Sequence, residues 1–381
     1  MLKKALQGLL IAAAVSVPAF VDAAQARELK LAVGFTQSAA AYKGAMKFAE
    51  EVEKNTEGEL TVRVFPISLL DLKETPPGLR DGIADIGYVI SSYYPKEYAT
   101  TNLVAELSMM ASTKNPTGLE NAAFIAAAAE YFIFDCEDCQ KEFNQQNQVY
   151  LGQAASPPLV MNCNNPVTNL EQVKGLRLRT SSSNFSRWAT HVGGVPVSLP
   201  AQELFEGLSQ GVVDCIIVGS ELFGLRLIEV VKHITVDVPG GIFGGAMPTN
   251  VNKDIWRGLT DQQRRVIIDA AATNMAHTLW EYNQINAAEF EEVKKRGIGL
   301  HKPEADLVNA TAEFIAGDLP LVADHYKNNF GIANAQQIAD EFQAVYEKWV
   351  GRIPQMKSVD DFRQVLLEEI FSKIDEKTYG L

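Results

Sequence analysis

Residues 79–89 read LRDGIADIGYV, and residues 208–218 read LSQGVVDCIIV. Both are Leu-x-x-Gly, two apolar residues, Asp, then an apolar run. Glycine closes a helix in the left-handed region at no steric cost, and a short apolar run after such a turn marks a buried strand. What precedes each copy also corresponds. Residues 28–35 (ELKLAVGF) predict a strand, a polar loop follows, and 42–54 predict an amphipathic helix. Residues 60–65 (LTVRVF) then predict a second strand, stopped by Pro66. In the later copy, 175–180 (GLRLRT) predict a strand, a Ser-rich loop follows, 185–192 a helix, and 195–199 a strand stopped by Pro200. Each copy is therefore β-loop-α-β-α-β, the unit of an α/β fold. Repetition of that unit predicts two similarly built lobes, each a mostly parallel sheet flanked by helices.

Beyond Asp237 the pattern changes. Gly240-Gly241 and Gly244-Gly245 punctuate a crossover, and 260–297 read as one long helix whose Thr260 and Gln263 form a capping box. At 1.5 Å per residue it is about 50 Å long, enough to span both lobes. From Asn334 the tail is helical again, with Phe342, Tyr346 and Trp349 at core-facing spacing. The expected division is lobe I at 27–150 plus about 243–285, and lobe II at 151–242 plus about 286–381 with the C-terminal helices.

The 381 residues carry Lys+Arg 34 against Asp+Glu 47, a formal charge of -13. That charge argues against nucleic acid and anionic lipid as partners, because both are bound through Lys and Arg. Residues 1–26 have the layout of a signal peptide: Lys3 and Lys4, an apolar stretch from Leu9 to Val17, and Ala24-Gln25-Ala26 as the cleavage site. No later stretch is apolar for long enough to insert into a membrane, so an exported, periplasmic protein is expected. Cys136, Cys139, Cys163 and Cys215 allow three pairings in an oxidising compartment, and a structural disulfide or buried thiols are expected. Cys136 and Cys139 have CxxC spacing, but their flanks read as helix. No hydrolase elbow, zincin helix, phosphate loop or dinucleotide fingerprint is present, and the five histidines are scattered. The expectation is a ligand receptor, with no enzymatic activity, no cofactor and no metal.

Residues 173–183 (VKGLRLRTSSS), 188–214 (WATHVGGVPVSLPAQELFEGLSQGVVD), 35–66, 82–89 and 252–271 together resemble the substrate-binding proteins of TRAP transporters. Those are periplasmic proteins of the C4-dicarboxylate-binding type. The resemblance covers essentially the whole mature chain. It implies a two-lobed periplasmic-binding-protein-like fold that captures a small organic acid and delivers it to membrane permease subunits. A ligand-sensing receptor for a signalling system would share the fold and is the alternative.

Arg179 ends the strand GLRLRT, and in open α/β lobes ligands sit beyond the carboxyl ends of strands. The resemblance implies that this arginine grips the ligand carboxylate. The Ser-rich start of the next helix would add hydroxyl and N–H donors, with Ser182 a candidate contact. Further candidates are Thr36 and Gln37 after the first strand, Tyr88, Ile90, Ser91 and Tyr93 after Asp85, and Val218, Gly219 and Phe223 after Asp214. Arg177, Asp85 and Asp214 read as structural. Many relatives carry a second arginine before GLRLRT where Leu159 stands here, and a polar run where residues 216–219 read IIVG. A second buried carboxylate would then lack a cation, which argues for a monocarboxylate or another single-headed anion such as a sulfonate. Its uncharged or aromatic remainder is expected against Tyr88, Tyr93 and Phe223.

Overall fold

The computed structural model describes residues 26–112, 118–219 and 222–381. The expected signal sequence, apart from Ala26, lies outside the described residues. Eleven strands form two sheets among those residues: β1 (Arg27–Ala32), β2 (Leu60–Phe65), β3 (Ile86–Ile90), β4 (Gln148–Tyr150), β5 (Val160–Cys163), β6 (Arg177–Thr180), β7 (Val195–Ser198), β8 (Cys215–Val218), β9 (His233–Pro239), β10 (Ala246–Asn252) and β11 (Gly299–His301). The first sheet has the order β2-β1-β3-β10-β4 and the second β11-β9-β5-β8-β6-β7.

The two repeat copies are the parallel cores β2-β1-β3 and β7-β6-β8. Gly82 and Gly211 take positive φ, 78° and 67°. Asp85 and Asp214 then do identical work. Asp85 accepts the Lys30 N–H at 2.7 Å and donates its own N–H to the Lys30 carbonyl at 2.9 Å. Asp214 does the same with Arg177, at 2.8 and 2.9 Å, and also ion-pairs with the exposed Arg177 side chain. Each aspartate thereby staples the third strand of its unit to the first, and both are structural. Each sheet also takes in antiparallel strands. β10 runs antiparallel to β3 and β4, and β5 runs antiparallel to β8 and β9.

The helix Asp261–Arg296 has the expected capping box at Thr260 and a left-handed Gly297 at its end. It buries Ile267 to Leu279 in the first lobe's core and Val293 in a core of the second, so it spans both. The tail departs from the expected division. Helix Ala305–Asp318 stays with the second lobe, but Val322–Phe330, Ala335–Val350 and Val359–Glu369 pack on the first. Aromatic edges explain this: Phe342 and Tyr346 meet Phe124, and Phe342 meets Tyr131, at centroid separations of 5.4–6.2 Å. Trp349 is fully buried beside them.

The cysteines form two disulfides, Cys136–Cys139 and Cys163–Cys215. The second joins directly paired residues of β5 and β8. The first sits at the start of helix Glu137–Gln145, where Cys136 Sγ accepts the Cys139 N–H. No described helix is long and apolar enough to cross a membrane.

Candidate functional site

Arg179 leaves β6 one residue before its carboxyl end, flanked by β7 and β8. Along β6 Arg177 is exposed while Leu178, Arg179 and Thr180 are all buried; Arg177 and Arg179 share a strand face, and it is Arg179's place nearer the carboxyl end that buries it. The Arg179 side chain is 3% exposed and projects into a small cavity between the two sheets. Its Nε and Nη2 donate to the Leu199 carbonyl at 3.0 and 2.9 Å. The Tyr93 hydroxyl of the facing lobe lies against the guanidinium and accepts the Ala201 N–H at 2.9 Å. Burial pulls Arg179 below its ordinary value and pushes the Tyr93 hydroxyl above its own, while each ring or cation moderates the other. Among the described residues no carboxylate lies within ion-pair distance of Arg179. A buried cation without a counter-ion is expensive unless an anion completes it.

The rest of the wall is apolar and aromatic. Phe35, Tyr88 and Tyr93 come from the first lobe, Phe243 from the crossover between β9 and β10, and Tyr282 from the long helix. Phe35 and Tyr88 meet edge to face at 5.4 Å. Leu159, Val218 and Leu225 close the second lobe's side. Two serines join the tyrosines in breaking the apolar lining. Ser156 is engaged with Pro157 and Phe243, whereas the buried Ser181 Oγ has no protein partner. Ser181 is thus a donor with an unfilled valence beside a cation with an unfilled charge.

Of the candidates read from sequence, Arg179, Tyr88, Ile90, Tyr93 and Val218 converge on this cavity. The others do not line it. Thr36 bridges the lobes by donating to the Gly224 carbonyl at 3.2 Å, and Gln37 is exposed. Ser91 is spent on the Gly245 carbonyl. Gly219 faces a separate crevice beside Glu289, and Phe223 donates its N–H to Glu289 at 2.8 Å while packing near Tyr282. Ser182 sits at the N-cap of helix Ser183–His191, but its Oγ donates to Asn184 at 2.6 Å and makes no cap.

The expected anion position at that helix start is taken by the protein itself. Glu106, at the end of the first lobe's helix Ala99–Glu106, accepts the Ser183 N–H at 3.2 Å and the Ser183 hydroxyl. Its other oxygen accepts from Arg187 at 3.0 Å, and Arg187 also grips Asp318 through two bonds of 2.7 and 2.8 Å. Burial pushes the Glu106 carboxyl up, and Arg187 pulls it back.

Several wall residues were not legible as site residues. Phe35, Phe243 and Tyr282 carry no motif, and their convergence depends on how crossover and long helix lie across both lobes. Ser181 is one place from the serine expected; alternation puts it on the Arg179 face and so decides which serine turns inward. Among the described residues no group of three or more His, Cys, Asp or Glu is arranged to hold a metal ion.

The family model for bacterial extracellular solute-binding protein, family 7 (DctP) matches residues 33–327. The C4-dicarboxylate-binding periplasmic protein DctP of Rhodobacter capsulatus is 25% identical over 283 residues, 67% of this chain and 74% of that protein. A TRAP periplasmic solute-binding protein of Bordetella bronchiseptica, solved with bound (R)- and (S)-mandelate, superposes with a TM-score of 0.70. It is 22% identical and covers 84% of this chain and 99% of its own. A marine metagenome TRAP solute-binding protein specific for pyroglutamate has a TM-score of 0.70 at 20% identity, again over 84% and 99%. With most of its length matched by the family model, the chain belongs to the bacterial extracellular solute-binding protein family 7.

Proposed function

We propose that this protein is the periplasmic receptor of a TRAP transporter, closing its two lobes on a small organic acid and presenting it to the membrane permease. Arg179 anchors the carboxylate, with Ser181 and the Tyr93 hydroxyl as neighbouring polar contacts. The apolar remainder of the ligand lies among Phe35, Tyr88, Phe243 and Tyr282. The relatives solved with mandelate and pyroglutamate support an acid of this size. Leu159 and Val218 offer no second cation, which favours a single-headed anion over a dicarboxylate.

One observation carries this reading: a buried guanidinium without a carboxylate partner among the described residues, set in an apolar interlobe cavity. Thermal-shift screening of the mature protein against a library of organic acids tests it. A binder raises the unfolding temperature by an amount that grows with ligand concentration as RT ln(1 + [L]/Kd). Arg179→Ala is expected to abolish that shift, and Arg179→Lys to weaken it strongly, because Lys lacks the planar fork. Normal binding by Arg179→Ala would overturn the proposed site.

A further inference from the structure

We infer that Glu106 sets the charge selectivity of the ligand site, turning away acids that carry a second carboxylate. This rests on the reading of Arg179 as the anchor for the first one. Next to the Arg179 cavity lies a larger crevice, and the two share Tyr93 and Ser181 in their walls. A ligand held by Arg179 can extend in only two kinds of surroundings. One is the apolar wall of Leu159, Val218 and Phe243, where a carboxylate would be desolvated without a counter-ion. The other is the polar crevice, lined by Ser92, Thr180 and the serines that begin helix Ser183–His191.

By its serines alone the crevice would welcome an anion. Its charges say otherwise. Glu106, 3% exposed, already occupies the helix N-terminus through Ser183, and it already holds Arg187. Arg187 is committed in turn to Asp318, so one cation is shared between two carboxylates and leaves none over for a ligand. His325 lines the same crevice, but burial lowers its pKa and leaves it neutral near pH 7. Lys73 is exposed at the rim, where solvent and salt screen it. A second ligand carboxylate would therefore meet a buried like charge whose helix donors and arginine are spent. Repulsion against the wrong ligand is as effective a source of specificity as attraction to the right one.

Hydroxyl, ether or amide groups meet no such penalty. A hydroxyl or amide N–H could donate to the Asn102 Oδ1, which is buried without a partner, and an ether or carbonyl oxygen could accept from the Ser181 hydroxyl. The inferred ligand class is thus an acid with one carboxylate and an uncharged remainder, apolar or hydrogen-bonding.

Calorimetry on the mature protein with matched pairs tests this: butyrate against succinate, and benzoate against isophthalate. The wild type is expected to prefer the monoacid in each binding pair by about a hundredfold, and Glu106→Gln, which keeps the shape and an acceptor for Ser183, to narrow that ratio at least about tenfold. Should Glu106→Gln fail to fold, Ser92→Lys, which puts a cation into the same crevice, must narrow the ratio instead. An unchanged ratio in the folded variant overturns the role of Glu106 while leaving the Arg179 anchor standing. A wild type that binds no member of a broad acid library overturns both.

Discussion

Replacing Arg179 with Met separates a ligand anchor from a structural arginine. The side chain is 3% exposed, and its protein partners are the Leu199 carbonyl, through two bonds, and the Tyr93 hydroxyl. Holding a guanidinium there without a counter-ion costs several kcal/mol of desolvation. Removing it leaves the Leu199 carbonyl short of a partner, a loss of about 1–3 kcal/mol. Methionine refills most of the volume and adapts to the irregular gap. The two effects nearly cancel, so the unliganded variant should be as stable as the wild type or about 1–2 kcal/mol more stable. Binding should change in the opposite sense. Two charge-assisted bonds to a carboxylate at about 1.5–3 kcal/mol each are lost, which weakens affinity roughly a hundredfold to ten-thousandfold. The assay is thermal unfolding of both proteins with and without an acid at about 100 times its wild-type Kd. The wild type should gain about 2.7 kcal/mol from the ligand and the variant almost nothing. If unliganded Arg179→Met unfolds several degrees lower and still gains the full ligand shift, Arg179 is a structural residue and the site has been misplaced.

Other predictions concern the frame around the site. Cys163 and Cys215 close a loop with a separation of 52 residues, so the Cys163→Ala/Cys215→Ala pair should lose about 4 kcal/mol in urea unfolding. Cys136 and Cys139 are 3 apart, and the same double replacement there should lose only about 1.5 kcal/mol; equal losses would refute the loop-entropy account. Burial pushes Glu289 up to about 7, so the folded protein binds a proton more tightly than the unfolded one. Stability contributed by that proton is complete below about pH 4.5 and fades as the pH rises through 7. Glu289→Gln should therefore gain at most about 3 kcal/mol at pH 8, vanishing near pH 4; a gain independent of pH would rule this out. A Cβ on Gly44 would overlap Thr278 Oγ1 and lie 3.0 Å from the Thr278 backbone nitrogen. Gly44→Ala should accordingly destabilise the packing of helix Ala40–Asn55 on the long helix by about 1–3 kcal/mol, read from the unfolding midpoint.

How far the sequence could be read depends on how local each feature is. The β-loop-α-β-α-β units, the capping box at Thr260 and the glycines at 82 and 211 are written in a few adjacent residues. All of them stand where the spacing places them. Asp85 and Asp214 could be read as turn-formers for the same reason, although their strand-stapling bonds to Lys30 and Arg177 become visible only with the sheets assembled. The antiparallel direction of β5 and β10 is not legible locally, because a short buried strand has the same apolar signature in either direction. The tail helices' packing on the first lobe is not legible, because an aromatic stripe declares that it is buried but not against what.

The site divides along the same line. Arg179 could be chosen because the carboxyl-end rule is local and the stretch around it carries the family resemblance. What makes it consequential is absent from its neighbourhood in sequence: Tyr93 is 86 positions earlier and Tyr282 103 later, brought together by the crossover and the long helix. Glu106 makes the point most sharply. A Ser-rich helix start reads as an empty anion site, yet a carboxylate 77 residues upstream fills it from the facing lobe. On the inferred role of Glu106, that long-range contact is what separates a site for two negative charges from a site for one. Local sequence therefore predicts where an anion can sit, and tertiary contacts decide whose anion it is.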